Sequence, residues 1–378
     1  MIDRYNPFSF IGGTQILDKN LSLELSKLGH EVHIVYGSLN NATIKIDLSV
    51  TLHPLDNIDI RYLGGIDYFL RMRRFLQKNM GKFDVVVCHD FTGGIASLQM
   101  KRDIPLIYYA HDVAASVFKM LPYMPLRRRI RYIPFMRYLM FAEKNIFREA
   151  DLIIAIAKCV KEDICKDYGV SPEKIAVDYH GLPSDFNDDI KPSYPDMPSF
   201  LHIATDHQRK GTKYLFQAMN ILQKRYNIKG NAIIVGKKDP YYINLARNLA
   251  ISVNFVGTVR EIELKKLYAS CTCLVVPSIR EGFCLPVIEA SSFGKPVIVA
   301  HAGALPELVR DGVDGFVVPV ADVNSLAEKM YILATNERLR KRMTPKAREK
   351  AEKFGIDGTA KRLIDAINST SKQIHLGK

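Results

Sequence analysis

Short apolar runs alternate with longer amphipathic segments along the whole 378-residue chain. Such runs predict buried strands, while an apolar residue every three or four positions predicts helices between them. The predicted strands are residues 32–36, 84–88, 104–110, 152–157, 200–204, 232–235, 254–256, 274–277 and 297–300. Helices are predicted at 14–28, ended by Gly29, and at 213–222. Strands that alternate with helices in this way predict an α/β fold built on parallel, doubly wound sheets.

The alternation stops over residues 187–199 (NDDIKPSYPDMPS), which carry three prolines and no periodicity. This break predicts two Rossmann-like domains, 1–190 and 191–350, followed by a helical tail over 351–378. A doubly wound domain normally reaches its first glycine turn through a buried central strand. Here only Met1 and Ile2 precede the polar segment before Gly12. We therefore expect either a native start upstream of Met1 or a domain without its central strand.

Composition and charge narrow the class of protein. The chain is 47% hydrophobic and carries 53 Lys and Arg against 40 Asp and Glu, a net charge of +13. This composition excludes a disordered chain. The apolar runs are far shorter than the ~18 residues of a membrane-spanning helix. The six cysteines form no C-x-x-C pair, so we expect a cytoplasmic protein with free thiols. The excess charge leaves nucleic acid, a membrane surface and phosphorylated ligands open as partners.

The densest motif is PSIREGFCLPVIEA, residues 277–290. A predicted strand runs into a glycine-containing loop, and a helix is predicted to begin at Pro286. Loop amides and a helix N-terminus at the carboxyl end of a parallel strand form an anion site. The carboxylates of Glu281 and Glu289 can accept hydrogen bonds from different hydroxyl pairs of one polyol ligand. The alternative is that Glu289 caps its helix and Glu281 is a solvated loop residue.

A second motif, HQRKGT, lies between the strand at 200–204 and the next helix. Arg209 and Lys210 at a strand-to-helix turn suit a diphosphate, although a solvated basic turn would have the same sequence. Gly236 and Gly257 also end predicted strands in this half of the chain. Glycines at strand ends are common, so each is weak evidence for a ligand site on its own.

In the first half, Gly12 and Gly13 precede a predicted helix, and such a turn allows a phosphate or sugar to approach the backbone. His89 and His111 each follow a predicted strand, which places both on the rim of the first sheet. Either histidine could instead be structural. His111 with Asp112 could place an oriented imidazole at a ligand.

Four motif absences argue against particular function classes. No D-x-D triplet is present for a metal bound to a nucleotide diphosphate, and no G-x-x-x-x-G-K-[ST] for a P-loop ATPase. The full dinucleotide fingerprint of a nicotinamide-dependent oxidoreductase is also missing. No nucleic-acid recognition motif occurs either. A non-catalytic nucleotide-binding or nucleic-acid-binding α/β protein stays open as an alternative to an enzyme.

From Gly12-Gly13 to about residue 327, the chain resembles the GT-B-fold glycosyltransferases of family 4, also called group 1. The resemblance rests on IGGTQ near the start, on GHEV at 29–32, on IYYAHD with His111, and on Lys210-Gly211. It also rests on Glu281 and Glu289 as the E-x7-E signature, and on GKPVIVAHAGALPELVRDGVDGFVV. The resemblance implies that the two domains face a cleft, with acceptor binding by 1–190 and donor binding by 191–350. We expect the tail to pack back toward the first domain.

The resemblance also implies roles for single residues. Lys210 would hold the donor diphosphate, Glu281 the sugar hydroxyls and Glu289 the nucleotide ribose. His111 and the Gly12-Gly13 turn would position sugar and acceptor. Amides that hold sugar and phosphate would come from Gly282, Phe283, Cys284 and Leu285. In this chain Cys284 stands where the family usually has glycine, and the usual Gly-Arg pair before Lys210 is missing, which leaves Arg209 as its substitute or no second cation.

The implied function is a retaining transfer of a hexose, without a metal or other cofactor, from a UDP- or GDP-sugar to a glycan or lipid-linked acceptor. Residues 113–142 add a further expectation, because they hold six basic and no acidic residues among large apolar ones. Such a segment suits an anionic membrane surface. We therefore expect a cytoplasmic enzyme, peripheral at the inner face of the membrane. The alternative is a helix pair packed on the core, with an arginine-rich outer face.

Overall fold

In the computed structural model, the residues described are 1–2, 7–8, 12–38, 44–47, 49–56, 64–89, 91–98, 104–123, 126–187 and 190–376. They divide into two compact units. The first unit is Met1–Pro183 together with Ile356–Lys378, and the second is Ser184–Gly355. Among the described residues, no helix combines the length and the apolar character needed to cross a membrane.

The first unit is a helix-covered set of mostly parallel strands. Its elements up to residue 183 are α1 (Gly13–Lys27), β1 (Val32–Ser38), β2 (Ile44–Asp47), β3 (Val50–Asp56), α2 (Gly64–Asn79), β4 (Val86–Cys88), α3 (Phe91–Leu98), β5 (Leu106–Ala110), α4 (Ala114–Phe118), α5 (Leu126–Glu149), β6 (Leu152–Ala155), α6 (Lys158–Tyr168) and β7 (Ile175–Val177). Strands β1 and β3 pair in parallel, and β2 joins β3 antiparallel. Strands β4, β5, β6 and β7 form a parallel sheet in that order.

Ile2 joins the two sheets of the first unit. It makes one parallel bridge to Val35 of β1 and one to Cys88 of β4. Among the described residues, these two bridges are the β pairing that connects the two sheets. Met1 and Ile2 thus stand where the central strand of a doubly wound sheet belongs.

The second unit is a six-stranded parallel sheet with helices. Its elements are β8 (Ser199–Ile203), α7 (Thr212–Tyr226), β9 (Asn231–Val235), α8 (Pro240–Asn248), β10 (Ser252–Gly257), α9 (Glu261–Ser270), β11 (Cys273–Val276), α10 (Leu285–Ser292), β12 (Val297–Ala300), α11 (Leu305–Leu308), β13 (Gly315–Val318), α12 (Val323–Thr335) and α13 (Glu337–Ala351). The strand order is β10-β9-β8-β11-β12-β13. Counted from β8, this is the doubly wound order 3-2-1-4-5-6, which reverses between β8 and β11.

The core of the second unit explains why its strands could be predicted. Every residue of β11 and β12 is buried, because helices cover both faces of the sheet. Strands buried on both faces read as continuous apolar runs rather than alternating ones. The two Rossmann-like units confirm the predicted α/β fold class.

The structure gives exact bounds for three helical segments that were predicted from the sequence. Helix α1 ends before Gly29, whose φ of 90° suits the predicted stop. Helix α10 begins at Leu285, one residue before the predicted Pro286. Within the segment 351–378, Ala351 is the last residue of α13, and α14 (Ile356–Leu376) follows after a break.

Helix α14 is anchored within the first unit. It packs on α1. The Ile356 amide donates to the Leu182 carbonyl at 3.0 Å, and Arg362 Nε donates to Asp178 Oδ1 at 2.6 Å. The chain therefore returns to the first unit after completing the second.

Candidate active site

The loop after β8 carries Arg209 and Lys210. The Asp206 carboxylate accepts the amides of Gln208 and Arg209 at 3.2 and 3.3 Å, which shapes the turn. Gly211 then adopts a φ of 72°, and a Cβ there would lie 1.9 Å from the Pro277 carbonyl oxygen. Only glycine allows this approach, so the loop after β8 lies directly against the loop after β11.

Glu281, on the loop after β11, receives both cations of the β8 loop. Lys210 Nζ lies 2.8 Å from Glu281 Oε1, and an Arg209 guanidinium nitrogen donates to Oε2 at 2.9 Å. The Ser278 hydroxyl donates to Oε1 at 2.7 Å. The Ile279 amide also donates to the Arg209 carbonyl at 2.9 Å, which ties the two loops together. The strand reversal thus joins residues more than seventy positions apart into one cluster.

The Glu281 carboxylate is buried and ionised. Burial by itself would raise the pKa of Glu281, but Lys210 and Arg209 outweigh it and lower this pKa to about 2. Only 4% of Glu281 and 8% of Lys210 are exposed. Lys210 has three N–H donors, so it can keep the carboxylate and bind a phosphate oxygen at the same time. The cluster therefore offers fixed positive charge beside a hydrogen-bond acceptor for hydroxyl groups.

Helix α10 begins directly after this loop and carries Glu289 in its second turn. Glu289 is 6% exposed, and the Tyr268 hydroxyl donates to its Oε2 at 2.6 Å. Burial raises the pKa of Glu289 to about 7, although the Tyr268 hydrogen bond opposes the rise. Two carboxyl groups of one motif thus have opposite pKa shifts: Glu281 stays ionised, while Glu289 titrates near neutrality.

The backbone between Glu281 and α10 is strained at one residue. Cys284 precedes the helix with φ 111° and ψ 74°, a conformation that favours glycine. Burial raises the pKa of its thiol to about 12, so the sulfur is a neutral, buried group. Gly303, on the loop after β12, packs against the backbone of Glu281, because a Cβ on Gly303 would lie 1.9 Å from the Glu281 carbonyl oxygen. The loop carrying Gly282 and Phe283 is therefore held against the loop after β12.

Gly236 directly follows β9 and has a φ of 128°. A Cβ at this position would lie 2.3 Å from the Ala204 carbonyl oxygen. Its amide donates to the Gly257 carbonyl at 2.9 Å. Both glycines predicted at strand ends are therefore involved in packing neighbouring strand ends together.

In the first unit, His111 follows β5 and meets His89, which follows β4. The two rings are joined by a 3.1 Å contact between His89 Nδ1 and His111 Nε2, and Asp18 Oδ1 of α1 lies 2.9 Å from the same His89 nitrogen. The ring of His180 meets His111 edge-on at 5.3 Å. Burial, reinforced by His89, lowers the pKa of His111 well below its ordinary value. His111 is therefore a neutral imidazole, suited to hydrogen bonding rather than to carrying charge.

Gly12 and Gly13 lie at the start of α1. Gly12 is extended at φ −136°, and a Cβ on Gly13 would meet no described atom within 4 Å. The protein's own described atoms thus leave space beside this helix N-terminus. Ile11 of the IGGTQ motif lies outside the described residues.

Several contact residues escaped the sequence analysis. Tyr268 gave no signal, because its partner Glu289 is 21 positions away and on another element. Ser278 lay inside the motif, yet nothing in its spacing indicated a bond to Glu281. Asp18 and His180 were not predicted as contact residues, because only the folded first unit brings them to His89 and His111.

Comparison with known proteins decides the family. Residues 184–350 match the family described as "Glycosyl transferases group 1", and residues 11–186 match "Glycosyltransferase Family 4". The chain is a group 1, or family 4, glycosyltransferase. It is thus a transferase enzyme, as the sequence motifs indicated, and the non-catalytic alternative falls.

Two relatives cover almost the whole glycosyltransferase chain. An uncharacterised glycosyltransferase of Methanocaldococcus jannaschii is 26% identical over 95% of each chain. An MMP alpha-(1->4)-mannosyltransferase of Mycolicibacterium hassiacum is 27% identical over 92% of each.

Solved structures show the same fold. Sucrose-phosphate synthase from Thermosynechococcus elongatus superposes with a TM-score of 0.84 at 19% identity, over 100% of this chain and 98% of that one. Anabaena HepE in complex with UDP and glucose gives 0.72 at 20% identity, over 97% and 98%. These likenesses confirm the GT-B fold.

Proposed function

We propose that the enzyme transfers a hexose from a UDP- or GDP-sugar to a glycan or lipid-linked acceptor, with retention of anomeric configuration and without a metal. The observation that carries this proposal is the cluster of Lys210 and Arg209 around Glu281 at the strand reversal of the second unit. Relatives include a mannosyltransferase and several D-inositol 3-phosphate glycosyltransferases, and HepE was solved with UDP-glucose. The HepE complex with UDP-glucose supports a nucleotide-sugar donor.

In the proposed reaction, the bond from the anomeric carbon to the diphosphate breaks as the acceptor oxygen bonds to the same face of that carbon. The acceptor proton passes to the leaving phosphate oxygen, so a glycoside and a nucleoside diphosphate result. Negative charge builds on the leaving group, where Lys210, Arg209 and the N-terminus of α10 would stabilise it. These protein cations are the reason to propose a reaction without a divalent ion.

The two carboxyl groups would bind hydroxyl groups of the donor. Glu281 is ionised and would accept from sugar hydroxyls, while Glu289 would accept from the ribose once ionised. His111, as a neutral imidazole, would hydrogen-bond the sugar or acceptor beside the Gly12-Gly13 turn. Amides of the loop at 282–285 would complete the donor site.

Donor hydrolysis and transfer test this assignment. UDP-glucose, UDP-GlcNAc, UDP-galactose and GDP-mannose are offered with and without EDTA, and the anomeric configuration of the product is read by NMR. We expect one donor to be preferred, no loss with EDTA, and retention. Inversion, or full dependence on added metal, would contradict the proposal.

A variant pair tests the cation. Lys210→Ala should lower turnover by about 10²–10³-fold, since it removes a charge aimed at the leaving group. Lys224→Ala removes an exposed lysine from the far end of α7 and should leave turnover unchanged. Turnover of the Lys210 variant within threefold of wild type would defeat the assignment.

We also propose that α5 contacts an anionic membrane surface, which suits a lipid-linked acceptor. Its exposed apolar residues include Leu126, Ile130 and Phe141, at 68, 65 and 68% exposure. Together with Ile133 they follow helical spacing along one face. The side chains of Arg127, Arg128 and Arg131 lie outside the described residues. Basic charge beside a stripe of exposed apolar residues favours an interfacial helix over one packed wholly on the core.

Co-sedimentation with vesicles tests this contact. Wild type should bind vesicles of anionic lipid at low salt and leave neutral vesicles in solution. Ile130→Ser with Phe141→Ser should abolish binding, whereas Met197→Ser, which alters an exposed residue of the second unit, should not. Absence of binding by wild type would refute the membrane contact.

A further inference from the structure

Three buried side chains form a hydrogen-bonded chain at the loop that carries Arg209 and Lys210. His202 belongs to β8, Thr212 is the first residue of α7, and His207 lies on the loop between these two elements. Their exposed fractions are 1, 0 and 5%. We call these three side chains the His-Thr-His chain. None of them has a role in the reaction described above.

The His-Thr-His chain makes two contacts at each histidine. His202 Nδ1 lies 2.9 Å from the Val275 carbonyl oxygen, and its Nε2 lies 2.9 Å from Thr212 Oγ1. His207 Nδ1 lies 3.0 Å from the same Thr212 Oγ1, and its Nε2 lies 2.6 Å from the Lys237 carbonyl oxygen. Both ends of the chain therefore meet a backbone carbonyl, and its middle is a single hydroxyl group.

Four hydrogen bonds in this chain need four protons. A carbonyl oxygen can only accept, so each histidine must donate one proton to its carbonyl. The Thr212 hydroxyl supplies a third proton, which it can donate to one imidazole only. Without a fourth proton, a bare ring nitrogen would face the lone pairs of Thr212 Oγ1, although buried polar groups are almost always hydrogen-bonded. One of the two histidines must therefore be protonated on both nitrogens.

The contacts assign this additional proton to His207. Burial lowers the pKa of His202 to about 4, although its bond to the Val275 carbonyl opposes the fall, so His202 is neutral. The contact between His207 Nε2 and the Lys237 carbonyl is the shortest of the four, as a hydrogen bond from a charged donor is. The His207 ring also stacks on the ring of Tyr242 at 4.6 Å, and the face of an aromatic ring attracts positive charge.

Titratable groups surround His207 on each adjoining element. They are His202 of β8, Asp206 and Lys210 of its own loop, Tyr214 of α7, Lys237 after β9, and Asp239 and Tyr242 at the start of α8. Burial first, and then neighbouring groups that include Asp239 and Asp206, raise the pKa of Tyr242 to about 12, so Tyr242 is uncharged. Lys210 opposes a second positive charge, whereas the two carboxylates favour one.

The two ring protons of His207 hold its loop at two points. Through Thr212 the ring is bonded to the first turn of α7, and through the Lys237 carbonyl it is bonded to the loop after β9. The His207 carbonyl also accepts the Thr212 amide at 3.0 Å. Arg209 and Lys210 lie within the turn that these bonds close, so the positions of both cations depend on the His207 ring.

We propose that His207 is a buried imidazolium and a positioning residue, which holds Arg209 and Lys210 where the diphosphate of the donor binds. The loop thereby gains a cation in the stretch where the usual Gly-Arg pair of the family is missing. The positioning role rests on the proposed function, because it assumes a nucleotide-sugar donor. The protonation of His207 rests on the contacts of the His-Thr-His chain alone.

Nitrogen NMR of protein labelled only in its histidines tests the protonation. Spectra are recorded at pH 7, and the His207 signals are identified by their absence in His207→Gln. In wild type and in Thr212→Ser, which keeps the hydroxyl, both ring nitrogens of His207 should carry a proton. In Thr212→Val, which removes the hydroxyl, His207 should have one bare nitrogen. A bare nitrogen on His207 in wild type, or two protonated nitrogens in Thr212→Val, would overturn the proposal.

Steady-state kinetics test the positioning, with the donor that wild type prefers among the four named above. Thr212→Val should lower kcat/KM about tenfold at pH 7, because a hydrogen bond to a charged group is lost, and Thr212→Ser should recover most of this loss. As the pH rises above 7, kcat/KM of wild type should fall toward that of Thr212→Val, because His207 loses its second ring proton. Glu289 titrates in all three proteins, so the ratio of wild type to variant reports the His-Thr-His chain.

Two outcomes separate this inference from the proposed function. A ratio of kcat/KM between wild type and Thr212→Val that stays constant with pH, in variants that a thermal scan shows to be folded, would overturn the positioning role. If wild type used none of the four donors, the proposed nucleotide-sugar function would fail and the positioning role with it. The NMR spectra would then still decide the protonation of His207, because they need no donor.

Discussion

Replacing Glu289 by Gln isolates the effect of one buried carboxyl group on stability. Gln keeps the shape of the side chain, and its amide oxygen can still accept from the Tyr268 hydroxyl. The change removes only the ability to ionise. Any difference in pH dependence between wild type and this variant therefore reports the titration of Glu289.

The size of the effect follows from the raised pKa. The pKa of Glu289 is about 7 in the folded protein, against an ordinary value of 4.5. As pH rises above 4.5, the unfolded chain releases this proton first, so the folded state loses stability until the pH passes 7. At 1.36 kcal/mol per pKa unit, the full loss is about 3.4 kcal/mol, of which about 2.5 kcal/mol falls between pH 5 and pH 8.

Urea unfolding at pH 5, 6.5 and 8 measures this loss. Relative to wild type, Glu289→Gln should gain about 2.5 kcal/mol between pH 5 and pH 8. Glu352→Gln removes an exposed carboxyl of the same unit and serves as the control. Tyr268→Phe should move the decline to higher pH, since the lost hydrogen bond lowered the pKa. If wild type and Glu289→Gln changed in parallel from pH 5 to pH 8, a pKa of Glu289 near neutrality would be refuted.

Three further outcomes are expected. Glu281→Gln should lower the free energy of unfolding by about 3 kcal/mol in a urea titration at pH 7, because it leaves Lys210 and Arg209 without their buried carboxylate. The difference in unfolding free energy between wild type and this variant should shrink as the pH falls from 4.5 toward 2, because wild type then loses the same ion pairs. Cys284→Gly should raise the Tm by about 2–4 °C in a thermal scan, because glycine adopts the positive φ without strain, and a lower Tm would contradict that reading. Arg362→Met should lower the free energy of unfolding by about 2 kcal/mol, since it removes a hydrogen bond to the buried Asp178. Adding Asp178→Asn to the same chain should restore part of this loss, and chemical denaturation measures both changes.

The strands of the second unit could be predicted because helices cover both faces of the sheet. Strands β11 and β12 then appear as continuous apolar runs. Strand β3 escaped prediction, since Thr51, His53 and Pro54 interrupt its apolar residues. The helical pattern of the predicted tail does not reveal where α13 ends and α14 begins, because Ala351 and Ile356 are both apolar residues of that pattern.

The sequence by itself determined the fold class, the family and the motif that carries Glu281 and Glu289. These depend on local order: apolar runs, glycine turns and fixed spacings along the chain. The pairing of Lys210 with Glu281 and the opposite pKa shifts of the two glutamates depend on the tertiary structure. Each arises where strands distant in sequence become neighbours, because burial and electrostatic interaction depend on distance in space rather than on distance along the chain.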